Sequence, residues 1–325
     1  MKLLGHFFAC LMSTGFLSAL PAFAGDEFPS KPIRVIVPSP AGGTADIIAR
    51  EFAPLVSENL KQQIIVDNRP GAGFSIGTEM AALSPPDGYT VLFTIGSAVA
   101  VNPHIYKTSK FDPLKQLLPF IITSKGKAIL VVNSKSSLRS VTDLVAAAKA
   151  KPGSLTYATS GPGSPQHLMG ERLKKLAGVD LLEVHYKGEA PGLTDLMGGQ
   201  VDMAFGFPSA TLQHIQSGKF RPLAVTSTQR SIALPQIPTL AQSGISDYDE
   251  SVWTGWSVPA GTPEPIVERL YQAFHAAAMS TELRQKVEKR GGEPQASTRA
   301  EAVALMKSDY ERYRKIVKEL DIRVE

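Results

Sequence analysis

Val35-Ile-Val-Pro-Ser-Pro-Ala-Gly-Gly-Thr-Ala-Asp-Ile-Ile-Ala-Arg50 decides how this chain is read. A β-branched run, Ile33 to Val37, passes through a tight loop of Pro and Gly into a helix entered near Asp46. The first N–H groups of a helix have no intrahelical partners and lie at the positive end of its dipole. A strand, loop and helix of this form therefore make a ready site for an anion. The same device returns at Tyr157-Ala-Thr-Ser-Gly-Pro-Gly-Ser-Pro-Gln-His-Leu168. Two such loops on two domains imply a cleft that grips a small carboxylate from both sides.

Outward from these loops, runs of strand-like and helix-like residues alternate, which predicts parallel sheets covered on both faces. Pro54 falls inside the first helical pattern and is expected to kink it or end it early. After Gly96-Ser97 the chain is read as irregular past Pro103 and Pro113, with the next strand at Ala128 to Val132. Thr262-Pro263 reads as an N-cap with proline at the first helical position. Thr298-x-x-Glu301 reads as a capping box, opening a last helix with a stripe of Val303, Met306, Tyr310, Tyr313, Val317 and Leu320.

The chain has 325 residues, 43% of them hydrophobic and 20% charged, a length that suits two domains. Met1 to Ala24 differs from the rest: Lys2, an apolar run from Phe7 to Leu20, and Ala22-Phe23-Ala24 fit a secretory leader cut after Ala24. The only cysteine, Cys10, lies inside it, so the exported chain is expected to have neither disulfide nor thiolate site. Net charge is +4, one less without Lys2. Lys and Arg are interspersed with acids and form no basic stripe, which argues against nucleic acid and fits attraction of anionic solutes. No second stretch is long and apolar enough to span a bilayer.

The ordered pieces of the chain carry a resemblance. They include Lys31-Pro-Ile-Arg-Val-Ile-Val-Pro38, Asn68-Arg-Pro-Gly-Ala-Gly73, Pro86-Asp-Gly-Tyr-Thr90, Gly161-x-Gly-Ser164, Tyr186-Lys-Gly188, Gly198-Gly-Gln-Val-Asp202 and Pro259-Ala-Gly-Thr-Pro263. From about Pro29 to its end the chain resembles the periplasmic solute-binding proteins of tripartite tricarboxylate transporters, the Bug/TctC family. The resemblance implies a type II periplasmic-binding-protein fold, with two α/β lobes, two hinge crossings and a ligand cleft between them. Lobe 1 would comprise 25–126 and 251–325, and lobe 2 would comprise 127–250. It further implies a carboxylate held by backbone N–H groups and hydroxyls at Pro40, Ala41, Gly42 and Gly43 on one side. The other side would be Ser160, Gly161, Gly163 and Ser164. The implied partners are inner-membrane permease subunits, and the implied state is a monomer. Gly206 stands where the family often has Asp, which disfavours a ligand amine. Phe74 and His185 are further departures, and Phe74 and Phe207, where they face the cleft, would offer an apolar surface to a longer or aromatic acid.

Three more residues are candidates on their own chemistry. Asp46 either reaches the ligand or caps its helix and ties down the loop's N–H groups. His167 either donates to the ligand or packs and caps, and Ser97 at a strand end would supply a hydroxyl. Gly73-Phe-Ser75-Ile-Gly77 matches the G-x-S-x-G elbow of exported α/β hydrolases, but that serine must follow a strand directly and here Asn68 to Gly73 intervene. Six scattered histidines and no His-x-x-x-His pair give no support for a metal, and no cofactor is expected. The reading is a non-enzymatic binding protein for transport, with a ligand-presenting sensory module and a hydrolase as alternatives.

Overall fold

The computed structural model describes residues 28–106 and 111–320; the leader read at Met1 to Ala24, with Cys10, lies outside them. The first part of the chain forms β1 (Ile33–Val37), α1 (Thr44–Leu60), β2 (Ile64–Asn68), α2 (Ser75–Ala82) and β3 (Thr90–Ile95). Three short helices follow, α3 (Gly96–Ala100), α4 (Asn102–Ile105) and α5 (Pro113–Gln116), and then β4 (Leu117–Lys127). The middle part contains β5 (Ile129–Asn133), α6 (Val141–Ala150), β6 (Thr156–Thr159), α7 (Pro165–Ala177) and β7 (Leu182–His185). It continues through α8 (Glu189–Gly198), β8 (Met203–Gly206), α9 (Pro208–Gln216) and β9 (Phe220–Val225). The last part has β10 (Ser251–Pro259), α10 (Glu264–Met279), α11 (Thr281–Lys289), β11 (Glu293–Pro294) and α12 (Arg299–Leu320).

Two sheets result, in the orders β2-β1-β3-β10-β4-β11 and β7-β6-β8-β5-β9. Both are mixed, which corrects the expectation of parallel sheets. β10 runs antiparallel to β3 and β4, and β5 runs antiparallel to β8 and β9. The reason lies in the connections. A parallel neighbour needs a crossover segment, whereas β5 and β10 each enter their sheet directly from the other half of the molecule. Apart from β11, the two sheets have the same order: three parallel strands, one reversed strand, and one more parallel strand.

The eleven-residue β4 occupies a stretch that the sequence leaves irregular. Its Pro119 pairs with Ser257 beside a register shift, a position in a sheet where a missing N–H is tolerated. α1 runs unbroken through Pro54, which is exposed, so the carbonyl it leaves unpaired is on the water side. Thr262 does not cap α10: its hydroxyl donates to Pro259 O, and Pro263 takes the cap position. The Thr298–Glu301 capping box forms, with Thr298 N to Glu301 Oε2 at 2.8 Å and Glu301 N to Thr298 Oγ1 at 3.2 Å. Of the α12 stripe, Met306, Tyr313 and Val317 are buried, while Val303 faces water and Ala302 takes its place inside.

Each sheet has its own core. In the first, Trp256 packs on Phe52, Phe93 and Phe274, with Phe120 against Phe274. Burying such side chains is worth about 1.5–3 kcal/mol each. In the second, Leu130, Val132, Tyr157, Met203, Phe205 and Tyr248 belong to one cluster. A smaller cluster joins the two halves: Ala100, Val101 and Ile105, Leu168 of α7, and Tyr313 and Val317 of α12.

The chain crosses between sheets at Ala128 and again at Glu250, and both crossings are tied to the buried Thr226. Thr226 N donates to Ala128 O at 3.0 Å and Ala128 N donates to Thr226 Oγ1 at 3.0 Å. Thr226 Oγ1 donates to Glu250 O at 2.7 Å, and Glu250 N donates to Thr226 O at 2.8 Å.

Candidate functional site

The loop after β1 exposes Pro40, Ala41 and Gly42, with Gly43 half-buried. Gly42 is at φ +78°, a left-handed conformation that glycine adopts without strain. Asp46 is buried and faces inward: its Oδ2 accepts from Gly42 N at 2.8 Å, and both its oxygens accept from Arg50 Nε at 3.0 Å. Burial works to raise its pKa, but the bonds from Arg50, Gly42 N and Asn68, with the Arg50 charge, hold it below its ordinary value. Asp46 thus fastens the loop from within. Gly43 is the N-cap of α1 and has no side chain to cap with. The first-turn N–H groups of this 17-residue helix, on Thr44, Ala45 and Asp46, stay available to an outside acceptor.

The loop after β6 is built differently. Gly161 N donates to Thr159 Oγ1 at 3.1 Å, and that hydroxyl is 2.6 Å from His185 Nδ1. Gly163 N donates to His167 Nδ1 at 3.1 Å. Ser164 is buried and caps α7, accepting from His167 N at 3.3 Å, while its own N–H donates to Gly161 O. The N–H groups of Gly161 and Gly163, the Ser164 hydroxyl oxygen and His167 Nδ1 are therefore all engaged within the loop and the residues around it, Gly161 by Thr159, Gly163 by the His167 ring and Ser164 by the His167 N–H. Burial holds the His167 pKa below its ordinary value, and with Nδ1 accepting, the neutral ring keeps its proton on Nε2. Ser160 is half-buried on the same loop.

The two loops meet different partners in the opposite half. Thr44 Oγ1 at the start of α1 lies 3.4 Å from Ser209 Oγ in the first turn of α9. The second loop packs on the first half near Gly73 and α4: Tyr106 Oη is 3.5 Å from Pro162 O, and a Cβ on Gly163 would fall 2.1 Å from Ile105 Cδ1. Ser97 lies beside the start of α7, sharing a cavity with Pro165. Its Oγ is buried without a partner and lines a cavity of about 20 Å³ with Val101, Leu168, Glu250, Trp253 and Asp309. That space is the size of one water, too small for an organic acid.

The structure adds a residue that the sequence reading passed over. Glu189 opens α8 behind Gly188, and its Oε1 accepts from Phe207 N at 2.6 Å, in the loop between β8 and α9. Part of the residue reaches water, yet its carboxyl lies among enough protein that burial pushes its pKa up to about 7, against the lowering effect of the Phe207 N–H. The only local sign was the helix start Gly188-Glu-Ala-Pro191; the contact with Phe207 is tertiary. Gly206 owes its identity to packing, because a Cβ there would fall 2.1 Å from Thr211 Cγ2. An acid is thus missing at Gly206 but present beside it, which removes the sequence argument against a ligand amine. Phe74 and Phe207 are both half-buried, Phe207 against the core of the second half.

Ser75 Oγ accepts from Asn102 Nδ2 at 2.9 Å, so its partner is an amide and not the base a hydrolase needs. His167, Glu171 and Glu183 bring ligand atoms within 4.8 Å of one another, a spacing a metal ion could use. Lys174 already places its ammonium there, 2.8 Å from Glu171 Oε1 and 3.6 Å from Glu183 Oε2.

Two lobes of like topology, joined by two adjacent crossings, with loops at the carboxyl ends of parallel strands facing each other, define a solute-binding protein of periplasmic type. The chain belongs to the tripartite tricarboxylate transporter receptor family, TctC, whose model matches residues 48–322. It is 33% identical to BugT of Bordetella pertussis over 91% of each chain. Its fold is similar to that of the periplasmic binding protein BugD, with a TM-score of 0.83 and 30% identity over 92% of this chain and all of that one. It is also similar to R. palustris Rpa4515, solved with adipate, with a TM-score of 0.85 and 32% identity over 91% of this chain and 99% of that one. The family consists of solute receptors, not enzymes. Among the described residues no helix is long and apolar enough to cross a membrane.

Proposed function

We propose that this protein is a periplasmic receptor that captures a small organic carboxylate between its lobes and hands it to the membrane subunits of a tripartite tricarboxylate-type transporter. The observation that carries this reading is the uncapped first turn of α1, held open by the inward-facing Asp46 and placed opposite the first turn of α9. Backbone N–H groups there supply positive potential without an opposing arginine. Each hydrogen bond to a charged oxygen contributes about 1.5–3 kcal/mol, so a few suffice for the roughly 8 kcal/mol of micromolar binding. The adipate held by Rpa4515 supports the ligand class. The lobes would be 25–126 with 251–325, and 127–250, in a monomer exported by its leader.

Thermal unfolding of the purified protein against adipate, other di- and tricarboxylates, aromatic acids and amino acids tests the reading. A ligand at a thousandfold excess over its Kd adds about 4 kcal/mol to the folded state, which raises the midpoint by several degrees in a protein of this size. A rise with carboxylates is expected. No rise with any carboxylate, from protein shown by mass spectrometry to carry no retained ligand, would overturn it.

A further inference from the structure

The geometry points to Glu189 as a specificity-determining residue of the cleft, a neutral carboxylic acid that donates a hydrogen bond to the carboxylate ligand. This rests on the carboxylate-receptor reading above. Glu189 sits where three loops of lobe 2 come together. Its Oε1 takes the Phe207 N–H, two residues before Ser209, the residue that reaches Thr44 and the open end of α1. Its own loop, through Tyr186 O, lies 3.9 Å from where a Cβ on Gly161 would stand. A Cβ on Gly188 would meet nothing within 4 Å, so space is open at the residue just before Glu189. The second carboxyl oxygen has no partner among the described residues.

The ionised form of this group has no cation to support it. Of the charged or titratable side chains on the surrounding elements, Asp195 holds Tyr186 Oη at 2.7 Å, His185 holds Thr159, and Asp46 is paired with Arg50. Lys187, on the same loop, is exposed. None of them is a cause of the shift at Glu189, which comes from burial, with Phe207 N–H opposing it. A carboxylate arriving opposite Glu189 adds like charge and favours the protonated form further. The acid then donates its O–H to a ligand oxygen, and above neutral pH one proton is taken from solvent for each ligand bound. No covalent bond changes.

The sign is therefore fixed. Affinity is flat below the pKa of the free carboxyl and falls about tenfold per pH unit above it. A ligand ammonium at the same place would favour the ionised form and make affinity rise with pH. The test uses adipate as the probe, with Kd measured by calorimetry from about pH 6 to about pH 9 in two buffers of different ionisation heat. Wild type should lose affinity through the upper part of this range while taking up about one proton per adipate. Glu189→Gln, which keeps an acceptor for Phe207 N and a neutral donor, should bind within about threefold of wild type at low pH and show no pH dependence. Affinity that is flat or rising in wild type, with no proton uptake, overturns the role of Glu189 and leaves the receptor reading standing. Should wild type bind neither adipate nor any other carboxylate at any pH, the receptor reading falls and this inference with it. The proton count is taken on wild type, so the test does not depend on the variant folding.

Discussion

The two Gly-rich loops look alike in sequence, but their helices begin differently. α1 starts behind Gly43, which offers no cap, and its acid at the third helical position turns back to hold the loop. α7 starts behind Ser164, which caps it, with His167 at the same third position holding Gly163 N. The same strand, turn and helix is left open in one lobe and closed in the other. Whether the first turn keeps its N–H groups free thus depends on the residue at the N-cap more than on the glycines before it. In lobe 2 the starts of α8 and α9 likewise have no side-chain cap.

Three substitutions would break or sharpen this comparison. The largest effect is expected at Gly163→Val. The side chain would overlap Ile105 at the contact between lobes and force a β-branched residue to φ +73°. Overpacking and left-handed strain together should cost about 3 kcal/mol, seen as a lower unfolding midpoint and weaker binding. A midpoint unchanged from wild type would mean that this loop does not touch the other lobe.

Thr44→Pro comes next. Gly43 is at φ −76°, ψ 167°, a conformation compatible with a following proline, and proline is at home in the first helical position. The fold should survive while one first-turn N–H is lost, weakening adipate binding by about 1.5–3 kcal/mol, or roughly 10- to 160-fold. Thr44→Ala, which keeps the N–H, separates the hydroxyl's share. Equal affinity in Thr44→Pro and wild type would remove α1 from the site. The smallest effect belongs to Ser164→Ala, with about 1 kcal/mol of stability lost with the cap and affinity for adipate unchanged. Affinity loss matching that of Thr44→Pro would show that the second loop opens when ligand binds.

Much of the fold was legible because its signals are local. β1, β3 and β7 are short runs bounded by turns, and Thr298 announces its helix by capping chemistry. β4 was not, because Pro119 speaks against a strand unless a register shift beside it is known. The reversed directions of β5 and β10 follow from where the chain crosses between lobes, which no window of sequence encodes. At the site, the first loop was legible, including Asp46 as a tie for loop N–H groups. The closure of the second loop depends on Thr159, His185 and His167 coming together, and Glu189 becomes notable only once α8 and α9 are neighbours. Both are contacts between segments, and residue types alone do not foretell them.

Thr226 gives the molecule an unusual mechanical character. One threonine, with its backbone and its hydroxyl, is bonded to both strands that pass between the lobes. The two passages cannot bend independently, because moving one without the other would strand buried donors and acceptors at the same residue. The lobes are in effect mounted on a single bearing instead of two separate straps. A hinge motion that kept these bonds would carry both crossings together and keep Thr44 of α1 in register with Ser209 of α9. In the proposed receptor such a hinge would leave little ordering to be done when a ligand arrived, so its binding energy would go into holding it.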